Sequence, residues 1–471
     1  MMAMLVVAMA LLCMVRAGDS FQQDEIGLIA MIKAPFSEMV YDYSNIIPML
    51  SPYEILAWCV GKYLGYSEAW LRLPSMMFGA IMLHFLWRSS SFFLPPATAW
   101  MPSLVVLAMP PVQHAICEAR PYAMAFALVS VAIFHGAAFL TDSASWRAWY
   151  LSCFFWAFAG WTRINVFEAF LPFALFSGLI LHRRGLFSFT RFVGGCLFVA
   201  GPALLMLPMA FRFGSTSHIH GYTGGVSTAY LLEWLIFSWF PPAVMALVLG
   251  SFLVKGLAHD GVPIQKKSMA AAWLLVACAI FPAVLHLLVW VWKGTFVISA
   301  RFLGATFPAA ALAFGIFIGI AATSRIWRSL FISGLVVAIL VSLSDNTDRE
   351  DWRRGVALVN ARSKSSDQLV LVLNGAFQSA HVEMIRHRFF LGPDAAYGIK
   401  GTSVAIPSVV TPESIDYMQS VLAQHRALVD SRPVLIIAKS KFRQVPKWIA
   451  KKLSRKTAAV SLEGVDVYEI F

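Results

Sequence analysis

Up to about residue 345 the chain is a succession of apolar stretches, most of them long enough to span a membrane, divided by short polar breaks. A bilayer core is about 30 Å thick, and about 20 apolar residues in a helix cross it. Backbone inside lipid must satisfy its own hydrogen bonds, so repeated stretches of this kind imply a bundle of transmembrane helices. Composition agrees: 59% of the 471 residues are hydrophobic and 13% are charged, with a mean hydropathy of +0.70. A soluble domain carries roughly twice that charge. The same figures exclude a disordered chain, a coiled coil and a small disulfide scaffold.

The stretches fall at 1–17, 73–92, 95–111, 122–140, 146–162, 164–182, 192–211, 229–254, 268–292, 303–322 and 329–345, about eleven helices. The first lacks a basic leading segment and reads as a retained helix, not a cleaved signal. Lys and Arg then set the orientation. One set of alternate breaks holds ten of them, Arg183, Arg184, Lys255, Lys266 and Lys267 included. The opposite short loops hold five: Arg120, Arg163, Arg212, Lys293 and Arg301. The richer side is cytoplasmic, which places the N-terminus inside and both 18–72 and the tail after 345 outside. The expected location is the cytoplasmic (inner) membrane, crossed many times.

The chain thus divides into a transmembrane domain, 1–345, and a C-terminal domain, 346–471. Within the first external loop, 18–72, the segment Ile55 to Leu64 is amphipathic and too short to span, as in helices that rest on the membrane surface. The tail is more charged and shows α/β periodicity. Helices are expected at 351–361, 379–388, from Thr411 to Arg426 with Thr411 as N-cap and Pro412 first, and at 448–453. Strands are expected at 369–373, 404–406 and 434–438, and as a pair around Glu463-Gly464. The fold class is an α-helical polytopic membrane protein with a small extracytoplasmic α/β domain.

The net charge of +12 fits basic cytoplasmic loops and contact with anionic lipid better than nucleic acid. The run from Lys439 through Lys447 to Lys456 has no acid in it, which suits a solvated face, anionic lipid or an acidic glycan. The six cysteines are scattered without a CxxC, so neither a disulfide framework nor a zinc site is expected. His218-x-His220 has no carboxylate or Cys nearby to complete a metal site, and no divalent metal is expected.

The chemistry-bearing residues lie at external helix ends. Asp24-Glu25 follows the first stretch; such a pair serves as base, metal ligand or lipid-amine partner, or is a plain solvated pair. Glu68 and Arg72 stand at i and i+4, the spacing of a helical ion pair. Glu118 shares a turn with Arg120 and can pair with it or supply a second carboxylate. Arg163 and Glu168, near the outer end of a span, are candidates because ionisable groups in membranes usually serve function; mutual neutralisation is the equal alternative.

Five patterns occur in order along the chain: Asp24-Glu25, Gly65-x-Ser67-Glu68-x-x-x-Arg72-Leu73-Pro74-Ser75, Glu118-Ala119-Arg120-x-Tyr122, Arg301-Phe302-Leu303 before Pro308, and Asp351-Trp352-Arg353. Together they resemble the bacterial family 39 glycosyltransferases of the C-type (GT-C) superfamily, which are similar to protein O-mannosyltransferases and aminoarabinose transferases. The resemblance implies a sugar donor linked to polyprenyl phosphate and an external active site, with no cofactor beyond that co-substrate. It further implies Asp24 as base, Glu25 assisting, and Arg120 and Arg301 on the donor phosphate. Tyr122 comes with the Glu-Ala-Arg pattern. Where relatives carry H-P-P-L-Y-Y, the residues Met49 to Glu54 keep only Tyr53, a candidate on the acceptor side.

The expected function is an inverting membrane glycosyltransferase acting on an envelope acceptor. A transporter or flippase of a lipid-linked glycan is the alternative from another class, and an inactive relative serving as a scaffold is a third. A carrier is expected to have broken helices in paired halves and charges near the midplane, whereas the candidates here cluster on one side. A reporter fused after Phe471 should be active only outside the cytoplasm; cytoplasmic activity would overturn the orientation.

Overall fold

The computed structural model describes residues 2–17, 19–40, 50–141, 145–215, 266–293, 306–321, most of 329–339, 350–363, 367–373, 388–408, 410–440 and 442–471. The expected helix 229–254, Arg301, the His218-x-His220 loop and nearly all of the expected helix 379–388 lie outside these residues.

The chain opens with helix α1, Met2–Ala17, then α2, Gln23–Ile32, and α3, Pro52–Leu64. The last two occupy the expected external loop, and α3 covers the amphipathic segment. The bundle continues through α4, Glu68–Ser90, the short α5, Met101–Leu107, and α6, Pro110–Cys117, then α7, Tyr122–Thr141, α8, Trp146–Thr162, and α9, Val166–Arg183. It closes with α10, Phe189–Ser215, α11, Lys266–Lys293, and α12, Phe307–Ala321. Among the described residues three helices, α4, α7 and α9, are long and apolar enough to cross a membrane.

One expected span is corrected. Residues 95–111 do not form a single helix: turns at 95–100 lead into α5, which ends before Met109, and α6 restarts at Pro110. Pro110 and Pro111 lack the N–H groups a continuous helix needs, and a proline favours the first turn of a new helix. Hydropathy does not register this break, because proline and its neighbours remain apolar.

Helix α7 is buried along most of its length, packed against α4 and α8. At Gly136 a side chain would meet the ring of Phe173 on α9 within 2.2 Å, so the glycine admits that ring. Phe173 in turn lies against Trp149 and Trp156 of α8.

The C-terminal part is a five-stranded sheet of order β2-β1-β3-β5-β4, with β1 Leu369–Leu373, β2 Thr402–Ala405, β3 Val434–Lys439, β4 Thr457–Ser461 and β5 Val465–Ile470. β2, β1 and β3 run parallel; β5 is antiparallel to β3 and β4. β1 and β3 are covered on both faces, which is why they read as unbroken apolar runs. On one face Val370, Val372, Leu435 and Ile437 pack with Trp352 and Val356 of α13, Trp352–Arg362. Leu369, Leu371 and Ile436 pack on the other, against Met418 and Val421 of a helix at Pro412–Gln424 and Ile449 of a helix at Gln444–Leu453. Thr411 caps the first of these, accepting the Ser414 N–H at 3.2 Å. The tail's basic run finds acids from elsewhere in the fold: Lys439 pairs with Glu350, and Arg443 Nε lies 3.4 Å from Asp466.

The first sheet face and the bundle share one continuous apolar core. The join runs through α2 and the short helix α14, Gly392–Tyr397. At Gly392 a Cβ would lie 2.9 Å from the backbone carbonyl carbon of Ile26. Gly392→Ala should therefore force the two helices apart at a cost of about 1–3 kcal/mol. A lower unfolding temperature of the purified protein in detergent checks this; unchanged stability would contradict so close a contact.

Candidate active site

The N-terminal end of α2 is held by a guanidinium. Arg72, in the second turn of α4, and Glu25, in the first turn of α2, are 3% and 0% exposed. Arg72 donates through Nε to Glu25 Oε1 at 2.9 Å and through Nη2 to Oε2 at 2.7 Å, a bidentate pair. Glu25 also accepts the Ala119 N–H at 2.7 Å and the Gln22 N–H at 2.9 Å. Arg72 further donates to the carbonyls of Asp19 and Ser20 at 3.0 and 3.2 Å, and its guanidinium lies 5.4 Å from the Phe21 ring centroid. Segment 19–25, α4 and the turn 118–120 are thus tied to one buried charge pair.

This geometry corrects the partnership expected for Glu68 and Arg72. Arg72 makes its bidentate pair with Glu25, and Glu68 pairs with Arg353. The i, i+4 spacing was compatible with pairing, but a partner from a distant part of the chain took each group.

Asp24 stands in the first turn of α2, next to Glu25. Its side chain, like Arg301, lies outside the described residues.

The turn after α6 carries the Glu-Ala-Arg pattern. Arg120 Nη1 lies 3.2 Å from Glu118 Oε2, the pairing expected from the sequence, and His114 Nδ1 lies 3.7 Å from Glu118 Oε1. A second chain of contacts supports this turn: the Tyr53 hydroxyl lies 2.8 Å from Ser75 Oγ, which donates to the Arg120 carbonyl at 3.4 Å. Tyr53 is fully buried, and burial raises its phenol well above the usual range. Ser75, the last residue of the Gly-x-Ser-Glu pattern, thus meets the retained Tyr53 behind the Arg120 turn.

Tyr122 opens α7 and Arg163 closes α8, so both lie at the same end of the bundle. The Arg163 guanidinium sits 4.1 Å from the Tyr122 ring centroid and that of Arg120 5.2 Å. Arg163 Nε is buried, with no hydrogen-bond partner among the described residues. Glu54, at the start of α3, accepts the Ser51 N–H at 2.9 Å. Burial holds its carboxyl above the usual carboxylate range, against the opposing pull of Ser51 and the Arg163 charge. Two guanidinium groups around one ring, beside a carboxyl that burial disfavours as an anion, make this end of the bundle suited to a bound anion.

Sequence reading does not single out Glu54, nor Tyr397 at the end of α14, whose hydroxyl accepts the Phe21 N–H at 2.8 Å. The Ser51-x-x-Glu54 spacing of a capping box was a usable signal for the first. Glu168 lies in the first turn of α9, part-buried.

A helical bundle joined through α2 to a small α/β domain is an arrangement this chain shares with solved membrane-enzyme structures. The solved structure of ArnT from Cupriavidus metallidurans bound to undecaprenyl phosphate superposes on 99% of this chain and 97% of its own, with TM-score 0.60 and 10% identity. Its apo form gives TM-score 0.55 over the same shares, also at 10% identity. The Archaeoglobus fulgidus oligosaccharyltransferase covers 94% of this chain and 69% of its own at TM-score 0.46 and 9% identity, too remote to argue from. No protein-family profile and no curated protein matches the chain. At such identities the likeness establishes the fold alone.

Glu25→Gln leaves the Arg72 charge buried without its counter-ion, which typically costs about 3–5 kcal/mol. The variant should lose folded protein and unfold at lower temperature in detergent. Wild-type stability would show that the pair does not hold the site together.

Proposed function

We propose that the chain is an integral membrane inverting glycosyltransferase that moves a sugar from a polyprenyl phosphate to an acceptor of the cell envelope, on the outer side of the membrane. The observation that carries this reading is the Arg120–Tyr122–Arg163 cluster, with its buried Arg163 Nε, in a fold shared with a protein solved with undecaprenyl phosphate bound.

In the proposed reaction an acceptor hydroxyl attacks the anomeric carbon as Asp24 takes its proton. The bond from that carbon to the lipid phosphate breaks, and a single displacement inverts the configuration. Arg120 and Arg163, joined by Arg301, stabilise the charge gathering on the departing phosphate. These guanidinium groups supply the positive charge, so we propose a reaction without a divalent metal. Glu25 acts through position: held by Arg72, it fixes the turn that carries Asp24. Tyr53 and Glu118 likewise act by holding Arg120. The proposed setting is the inner membrane, with the C-terminal domain outside and anionic lipids around the basic loops.

A deletion strain whose envelope glycans and lipids are profiled by mass spectrometry should lack one sugar, and the wild-type gene should restore it. Asp24→Asn should insert normally, bind undecaprenyl phosphate and restore almost nothing, since loss of a general base typically costs about a hundredfold to ten-thousandfold. Arg163→Ala should weaken undecaprenyl phosphate binding roughly tenfold or more, the scale of a charged hydrogen bond. Arg163→Lys should recover only part of that, lacking the planar fork. Full restoration by Asp24→Asn would remove Asp24 as base. An unchanged envelope profile in the deletion strain would remove the transferase reading.

A further inference from the structure

The linker between α1 and α2 is gripped from two sides. Arg72 holds it from the bundle, through the Asp19 and Ser20 carbonyls. The C-terminal domain holds it through one phenol. Tyr397, the last residue of α14, accepts the Phe21 N–H at 2.8 Å, lies 3.1 Å from Ser20 Oγ and donates to Glu68 Oε1 at 3.2 Å. Its ring lies 6.1 Å from that of Phe21. Glu68 also takes the guanidinium of Arg353, whose backbone N–H donates to Ser20 Oγ at 3.1 Å. Lys33, at the far end of α2, donates to the Ala395 carbonyl. Thus α14 touches both ends of α2, and Ser20 and Phe21 are fixed shortly before Asp24.

A domain that only recognised an acceptor would not need to bond to the linker backbone. We propose that the C-terminal domain is a positioning device for the base: Tyr397, with Glu68 and Arg353, sets the place of Asp24 by clamping residues 20 and 21. The inference rests on the reading of Asp24 as base. Its energetic logic is that of orientation: a misplacement of about 1 Å at a reacting group can cost a hundredfold in rate without weakening binding. Tyr397 touches no reacting atom in this account and acts only through the linker.

The test uses the full-length protein. Tyr397→Phe keeps the ring against Phe21 and deletes the hydroxyl. Glu68→Gln keeps an acceptor for Tyr397 and removes the charge that holds Arg353. Three quantities are read: amide hydrogen exchange of peptides covering residues 19–25 and β1 and β3, undecaprenyl phosphate affinity, and restoration of the missing envelope sugar in the deletion strain. Tyr397→Phe should speed exchange at Phe21 roughly two- to tenfold, the scale of one lost hydrogen bond. The strands should keep their protection and the affinity should not move. Sugar restoration should fall about tenfold or more. The Glu68→Gln and Tyr397→Phe effects should add to less than their sum, because both loosen one clamp.

Faster exchange at Phe21 with sugar transfer unchanged would overturn the proposal. So would an affinity for undecaprenyl phosphate that falls in step with transfer, since the domain would then be acting on the donor site. Asp24→Asn in the same strain separates the two levels. If that variant restores the sugar, the base reading fails and the positioning role falls with it. If it does not, a fully active Tyr397→Phe counts against the clamp alone.

Discussion

Four donors meet the Glu25 carboxylate: two from the Arg72 guanidinium and the backbone N–H groups of Gln22 and Ala119. Removing an isolated carboxylate from water is costly, and a buried pair is tolerated when its remaining hydrogen-bonding capacity is filled. Here it is filled from separate parts of the chain. The start of α2, the second turn of α4 and the turn before α7 meet at one carboxylate. A hydrophobic pair of the same volume would fit the space but would not fix the direction of three backbones. The position of Asp24 along the first turn of α2, and of Arg120 one residue beyond Ala119, both follow from this contact.

The surrounding charges divide into two groups. Arg72 and Glu25 neutralise each other, as do Arg353 and Glu68, and these pairs join segments. Around Tyr122 the balance differs. Arg120 has Glu118, but Arg163 faces the ring and the Glu54 carboxyl, which burial disfavours as an anion. Positive charge concentrated at a bundle end is expensive unless a ligand completes it, and a phosphate does so with matched geometry. The structural pairs place the bundle end and the C-terminal domain; in the proposed reading Arg163, whose Nε has no hydrogen-bond partner among the described residues, gives that place its chemistry.

Much of this was legible in the sequence where periodicity and turn chemistry were strong. The strand at 369–373, the cap at Thr411 and the hairpin around Glu463-Gly464 appear at or within a few residues of their expected positions. The break between α5 and α6 was missed, because an apolar prolyl pair raises no signal in a hydropathy window. Partners were missed for a different reason. Spacing on one helix reports only what is near in sequence, so it offered Glu68 to Arg72, whereas the fold brings Glu25 to Arg72 and Arg353 to Glu68. Tyr397 carries no sequence mark, since its contacts with Ser20, Phe21 and Glu68 form only when α14 packs on α2. The ordered motifs pointed to the right fold, yet several of their residues, Ser75, Ala119 and Trp352 among them, serve packing and backbone support.

In the proposed function this bundle end breaks the bond between a sugar and a lipid phosphate. The most direct measurement is the yield of free undecaprenyl phosphate in liposomes holding the purified protein, envelope acceptor extract and lipid-linked sugar, with the anomeric configuration of the product read by NMR. The account predicts one free lipid phosphate for each sugar transferred, with inverted configuration. Sugar crossing the bilayer while still joined to its lipid, with no phosphate released, would contradict it and establish a carrier.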